Sequence, residues 1–257
     1  MCAVVRNDVG ICFPIIYLFP KGGTAMNRFF RHISPVVWLP VMGLTLYLGG
    51  KLPGRGYYLT ATAVILEAMV PFLLAFERRR PQAREVVVIA VLSALAVAAR
   101  VVIPIPNFKA IFAIILLSGV AFGSESGFLV GAVSAFASNF FYGQGPYTPW
   151  QMLAYGLAGV MGGLLFAPGR LPRRRIPLAI AGFLTVVALV GPVLDTCSIF
   201  LGMADVRSLG AMYLSGLPVN LTQGLSTALT LALIGPALLE KLDRVKLQYG
   251  MGGGNGV

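Results

Sequence analysis

The feature that most constrains this chain is a succession of long apolar runs separated by short turns, at residues 35–50, 57–76, 86–103, 109–122, 127–142, 150–167, 176–201 and 218–239. A soluble core cannot bury eight such segments within 257 residues. A bilayer accommodates them at ~20 apolar residues per helix, and it obliges each backbone N–H and C=O to pair within its own segment. The expected fold is therefore an all-α membrane protein, a polytopic helix bundle. Composition agrees, with 57% hydrophobic residues, 11% charged residues and a mean hydropathy of +0.83, against roughly a quarter charged in a soluble domain. Several runs fall short of ~20 residues, which predicts tilted helices or ends covered by protein.

The net charge of +11 is split into small clusters between apolar segments. That distribution excludes the continuous basic face of a nucleic-acid binder and suits membrane orientation instead. Arg28 and Arg31 precede the first run, Arg78, Arg79, Arg80 and Arg84 follow the second, Arg170, Arg173, Arg174 and Arg175 follow the sixth, and Lys241, Arg244 and Lys246 follow the last. With an even number of spans all four clusters fall on one side, cytoplasmic by the positive-inside rule, and both termini with them. The opposite loops carry few charges: Lys51 and Arg55, then residues 104–108, then 143–149, then 202–217 with Asp205 and Arg207.

Residues 1–25 form an expected N-terminal extension without the basic start and cleavage site of a signal peptide. Residues 26–85 hold two additional spans, 86–246 a six-helix core, and 247–257 a flexible Gly-rich tail. Cys2, Cys12, Cys197 and the single His32 have no metal-ligand or CxxC spacing, so neither a disulfide framework nor a metal site is expected. There is no Ser/His/Asp set, no pair of carboxylates and no phosphate-binding Gly-rich loop. Catalysis and a cofactor are not expected, and energised transport needs other subunits.

Three constellations carry functional expectations. Ala90, Ala94 and Ala98 stand at i, i+4 spacing beside Ser93, making a flat helix face that another helix can approach closely. Gly119, Gly123, Gly127 and Gly131 repeat that spacing and suit packing within the bundle. The loop from Gly143 to Gln151 reads GQGPYTPWQ. In it Thr148 is the expected N-cap, Pro149 suits the first turn and Gln151 stands at the capping-box position. Tyr142, Tyr147 and Trp150 offer flat faces there, while Gln144 and Gln151 offer amide donors and acceptors. Together they suit a planar, polar organic molecule, although Tyr and Trp also populate membrane interfaces without binding anything.

Polar residues within apolar spans are costly and ask for a reason. Arg100, Asn139, Asp195, Asn220 and Gln223 all fall near the uncharged side, so they suggest a polar layer opening outward, with an Arg100–Asp195 ion pair as the plainer alternative. Glu67 stands apart in the second run.

The stretch from Ile105 to Lys109 (IPNFK), the run from Gly119 to Phe166, and GLPVNLTQ from Gly216 to Gln223 resemble the substrate-specific S component of energy-coupling factor (ECF) vitamin transporters. The resemblance covers residues 86–239, and the GQGPYTPWQ loop is its most specific motif. It implies a six-helix protein that captures a vitamin-like small molecule outside the cell membrane and docks on an ECF scaffold subunit driven by two ATPase subunits. The aromatic loop, the polar layer and the IPNFK stretch together make the expected substrate set Arg100, Asn107, Asn139, Tyr142, Gln144, Tyr147, Trp150, Gln151, Asp195, Asn220 and Gln223, and the resemblance implies that the face of Ala90, Ala94 and Ala98 is the docking face. The two spans before Val86 depart from the six-helix pattern. The loops are similar to those of S components for a cobalamin-like corrinoid, with riboflavin-like and queuosine-like compounds also open. A stand-alone secondary transporter is the rival reading. The lack of an acidic or basic relay beyond Arg100, Asp195 and Glu67 counts against proton coupling.

Overall fold

The computed structural model describes residues 41, 44, 45, 47, 48, 56–78, 83–102, 105–200 and 206–248. The N-terminal extension, most of the first additional span and nearly all of the Gly-rich tail lie outside them. The described residues form helices α1 (Gly56–Arg78), α2 (Ala83–Val101), α3 (Ile111–Phe122), α4 (Ser124–Tyr142) and α5 (Thr148–Leu165). Next, α6 (Arg175–Thr185) passes through a π-helical turn (Val186–Val190) into α7 (Gly191–Phe200), and α8 (Leu209–Gln248) completes the bundle. Counting α6 and α7 as one interrupted span, α2 to α8 make the six-helix core, with α1 packed outside it on α4, α5 and α7.

At the centre lies α3, packed on α2, α4, α5, α6 and α8. All twelve of its residues are buried, and at 1.5 Å per residue it is roughly 18 Å long, well short of the ~30 Å hydrocarbon layer. The short fourth run is thus a helix covered by protein at both ends. Gly123, at φ 96°, is the sole residue between α3 and α4. A side chain rarely adopts that backbone conformation, so glycine is what allows the chain to reverse there.

Lipid provides no hydrophobic drive between helices, which must gain by close packing instead. Here glycine backbones touch. A Cβ built on Gly119 would lie 2.0 Å from the Gly159 carbonyl oxygen, one on Gly127 2.6 Å from the Cα of Gly119, and one on Gly131 2.2 Å from the Tyr155 carbonyl oxygen. Three members of the sequence repeat therefore weld α3, α4 and α5 together, while Gly123 makes the turn.

Unlike a soluble bundle, this one is apolar on its outer faces as well as in its core. Leu214, Leu217, Leu221, Leu225, Leu229 and Leu233 form an exposed ladder along α8, as do Ile176, Ile180 and Leu184 on α6. Ser118, Ser134, Ser138 and Thr227 are buried, each donating to a carbonyl three or four residues earlier. Such contiguous apolar surface marks contact with lipid, and back-bonding satisfies the buried hydroxyls.

Two boundaries differ from the sequence reading. The last span is α8, 40 residues long or roughly 60 Å, because Pro218 and Pro236 sit inside the helix instead of ending it. Membrane helices tolerate proline where side chains and neighbouring helices take up the freed backbone groups, here the carbonyls four residues before each proline. The helix also reaches into the expected tail, taking in Leu247 and Gln248. The seventh run is interrupted by the π turn, where the Gly191 N–H reaches back to the Val186 carbonyl. By length and apolarity alone, residues 175–198 and 210–248 are long enough to cross a membrane, and 62–74 and 111–122 are shorter apolar helices.

The ends of α3 define two poles. At its C-terminal end Arg173 Nη2 donates to the Val120 carbonyl at 3.0 Å and Lys246 Nζ to the Ala121 carbonyl at 2.8 Å. Cations there complement the helix dipole and satisfy carbonyls without an intrahelical partner. Arg173 also pairs with Asp243 at 3.3 Å. The candidate site is at the opposite pole.

Candidate functional site

The loop 105–110 delivers the chain to the start of α3, passing through Asn107 at φ 58°. Asparagine is among the few side chains that visit this region readily. Between this loop, the end of α2, the end of α4, α5 and α8 lies a cavity of about 300 Å³. It is lined by Arg100, Pro106, Asn107, Lys109, Ile111, Phe112, Tyr142, Tyr155 and Gln223.

Arg100 closes the last turn of α2, where a cation suits the carbonyl end of the helix dipole. Its Nη1 donates to Ser138 Oγ and, at 3.2 Å, to Asn139 Oδ1. The guanidinium carbon lies 4.8 Å from the centre of the Tyr142 ring and 5.5 Å from that of Tyr155, close enough for both to attract the cation. The Tyr142 hydroxyl donates to the Arg100 carbonyl at 2.9 Å. Phe112 meets the Tyr155 ring edge-on with centroids 4.6 Å apart. The cavity wall is thus a guanidinium flanked by two phenol rings.

Behind it stands an amide network. Asn139 is fully buried, and its Nδ2 donates to Gln151 Oε1 at 2.7 Å and to Thr148 Oγ1 at 3.3 Å. Thr148 donates to Gln144 Oε1 at 2.9 Å, and Gln144 Nε2 to the Phe136 carbonyl at 3.0 Å. With both amide hydrogens of Asn139 used and its oxygen occupied, the network fixes Arg100 and ties the 143–149 loop to α4.

This geometry corrects the capping assignment. The residue before α5 is Tyr147, already in helical conformation with no side-chain cap. Thr148 is inside the helix, its hydroxyl turned back to accept from the Gly145 N–H at 3.2 Å. Gln151 reaches Asn139 instead of closing a capping box. The side chains are drawn into the network because a buried amide left unpaired costs its full desolvation.

Of the residues expected from sequence, Arg100, Asn107, Tyr142 and Gln223 share the cavity wall, while Asn139, Gln144 and Gln151 lie in the supporting network. Tyr147 folds over the loop, its hydroxyl donating to the Gly143 carbonyl at 2.7 Å. Trp150 is buried in a separate apolar cluster with Ile65 and Met69 of α1, against which Tyr147 also packs. Asp195 accepts from Asn220 Nδ2 at 2.8 Å, and this pair does not line the cavity. The alternative Arg100–Asp195 ion pair does not form. Glu67 accepts from Thr45 Oγ1 at 2.6 Å, joining α1 to the preceding span. The sequence reading left out Lys109, Phe112 and Tyr155. Tyr155 had a usable signal, standing one turn beyond Gln151 on the same face of α5.

Helices with apolar ladders on their outer faces define a membrane-embedded bundle, and the cavity at one pole has room for a small organic molecule. The family described as ECF-type riboflavin transporter, S component, matches residues 81–243, and the chain belongs to it. The family is one of integral membrane transport components, not of enzymes. No curated protein and no solved structure matches the chain. Among the described residues no group of three or more His, Cys, Asp or Glu side chains is placed to hold a metal ion.

Proposed function

We propose that this protein captures a small organic micronutrient from outside the cell in the cavity beside Arg100 and hands it to an ECF scaffold driven by two ATPase subunits. The observation that carries the reading is the cavity itself, set in the family's bundle at the pole opposite the basic clusters. Under the positive-inside rule the basic pole, with Arg84, Arg173 and Lys246, is cytoplasmic, both termini lie on that side, and the cavity opens outward. Arg100, Asn107, Lys109, Tyr142, Tyr155 and Gln223 contact the ligand, and Asn139, Gln144 and Gln151 position them.

A volume of about 300 Å³ lies at the small end of organic ligand pockets. It suits a compound of a few fused rings and speaks against a corrinoid, so the weight moves from a cobalamin-like to a riboflavin-sized substrate, in line with the family's description. Docking falls to the exposed face of Ala90, Ala94 and Ala98 on α2, flat enough for a scaffold helix to approach. Helix α1, packed beside α5 through Trp150, braces the core from outside.

The test is to purify the protein from cells grown on rich medium, identify any bound small molecule by mass spectrometry, and titrate it back onto the stripped protein. A single tightly bound micronutrient, whose affinity falls in Tyr142→Ala and Gln223→Ala, is expected. If nothing co-purifies and folded protein binds no vitamin at micromolar concentration, the receptor reading fails.

A further inference from the structure

We infer that the ligand of this cavity carries an oxyanion, a carboxylate or a phosphate monoester, which docks on the free edge of the Arg100 guanidinium; this rests on the cavity being the substrate site. A guanidinium has five N–H donors. Both hydrogens of Nη1 are used on Ser138 and Asn139. Among the described residues the Nε–H and the two Nη2–H groups meet no acceptor, although Arg100 lines the cavity. Nε–H and one Nη2–H form the planar fork that matches the two oxygens of a carboxylate or phosphate.

The fork is held ready. The rings of Tyr142 and Tyr155 lie on the guanidinium, and Asn139, itself fully bonded, fixes the opposite edge. Lys109 lines the same cavity, and no described carboxylate does. The acid of the polar layer, Asp195, accepts from Asn220 away from the cavity wall. Among the described residues Arg100 has no anionic partner, and a ligand oxyanion would supply one. The remaining wall, with Phe112, Tyr155 and the Asn107 and Gln223 amides, suits a ring system bearing hydrogen-bonding groups.

Two matched pairs differing in the anion test this: riboflavin against riboflavin 5′-phosphate, and nicotinamide against nicotinate. Each is titrated onto ligand-free protein in detergent. The anionic member of at least one pair is expected to bind about 10-fold tighter or more, the scale of a charge-assisted hydrogen bond. The responding pair tells phosphate from carboxylate. The preference should vanish in Arg100→Gln and shrink in Arg100→Lys, which keeps the charge but loses the fork. Size exclusion checks that each variant is folded, and Arg100→Lys carries the test if Arg100→Gln is not. Riboflavin binding as tightly as its phosphate, unchanged in folded Arg100 variants, overturns the oxyanion while leaving the receptor reading intact. If none of the four compounds binds folded protein, the oxyanion inference falls, whereas the receptor reading falls only if no micronutrient co-purifies either.

Discussion

Replacing Gly159 with alanine probes how the α3–α4–α5 weld holds the site. The added Cβ would lie 2.0 Å from the Gly127 carbonyl oxygen and 2.2 Å from its carbon, both backbone atoms with no rotamer to change. Ordinary contact begins near 3.4 Å, so α4 and α5 must part locally by about 1.4 Å, the difference between 3.4 and 2.0 Å. Overpacking a close-packed interior costs ~1–3 kcal/mol, and the backbone clash puts this site at the upper end. Alanine's better helix propensity returns ~1 kcal/mol, leaving a net loss of about 2 kcal/mol. For a chain of this size that corresponds to a melting temperature lower by roughly 4–8 °C. Thermal unfolding in detergent, followed by tyrosine and tryptophan fluorescence, reads this directly. The control is Gly210→Ala near the start of α8, where a Cβ meets nothing within 4 Å and stability should hold or rise slightly. A Gly159→Ala protein that melts at or above the parental temperature would refute the close-approach reasoning.

Other consequences follow from the two poles. Ala94→Trp should abolish co-purification with the scaffold while leaving ligand affinity within about twofold, since Ala94 is exposed and stands six residues, about 9 Å along the helix, before Arg100; normal assembly would remove the docking assignment. Arg173→Ala should lower the melting temperature by only a few degrees, because the pair with Asp243 is half-exposed and such pairs contribute ~0–1 kcal/mol, to which loss of the Val120 carbonyl bond adds; a drop larger than that of Gly159→Ala would contradict this ranking. With Cys2, Cys12 and Cys197 replaced by serine, a cysteine at Tyr147 should react with an impermeant maleimide in intact cells and one at Arg173 should not; the reverse pattern inverts the topology. Asn139→Ala should weaken ligand binding although Asn139 is buried behind Arg100, whereas Asn139→Asp should retain more of it by keeping the acceptor for Arg100; equal binding by both would show that the network does not position the cation.

The membrane class and the helix core could be read from the chain because lipid leaves a helix few alternatives: an apolar run must bond its own backbone, and charges collect where water is. Glycine spacing likewise announced close packing before any contact was known. The meeting of Arg100 and Gln223 was legible as a shared depth, since span ends and helix register follow from sequence position, and Tyr142 was legible separately as part of the aromatic loop. What sequence position does not encode is lateral direction around the bundle. Trp150 and Tyr155 are five residues apart on α5, yet one packs on α1 and the other faces the cavity, a choice made by which helices flank α5. Asp195 had the depth to meet Arg100 but accepts from Asn220, because α7 packs on α8. Thr148 and Gln151 looked like a local cap and became partners of Asn139 on α4, since the buried Asn139 amide needs acceptors that only tertiary packing brings to it. Local chemistry named the side chains available; only the packing of six helices decided which of them meet.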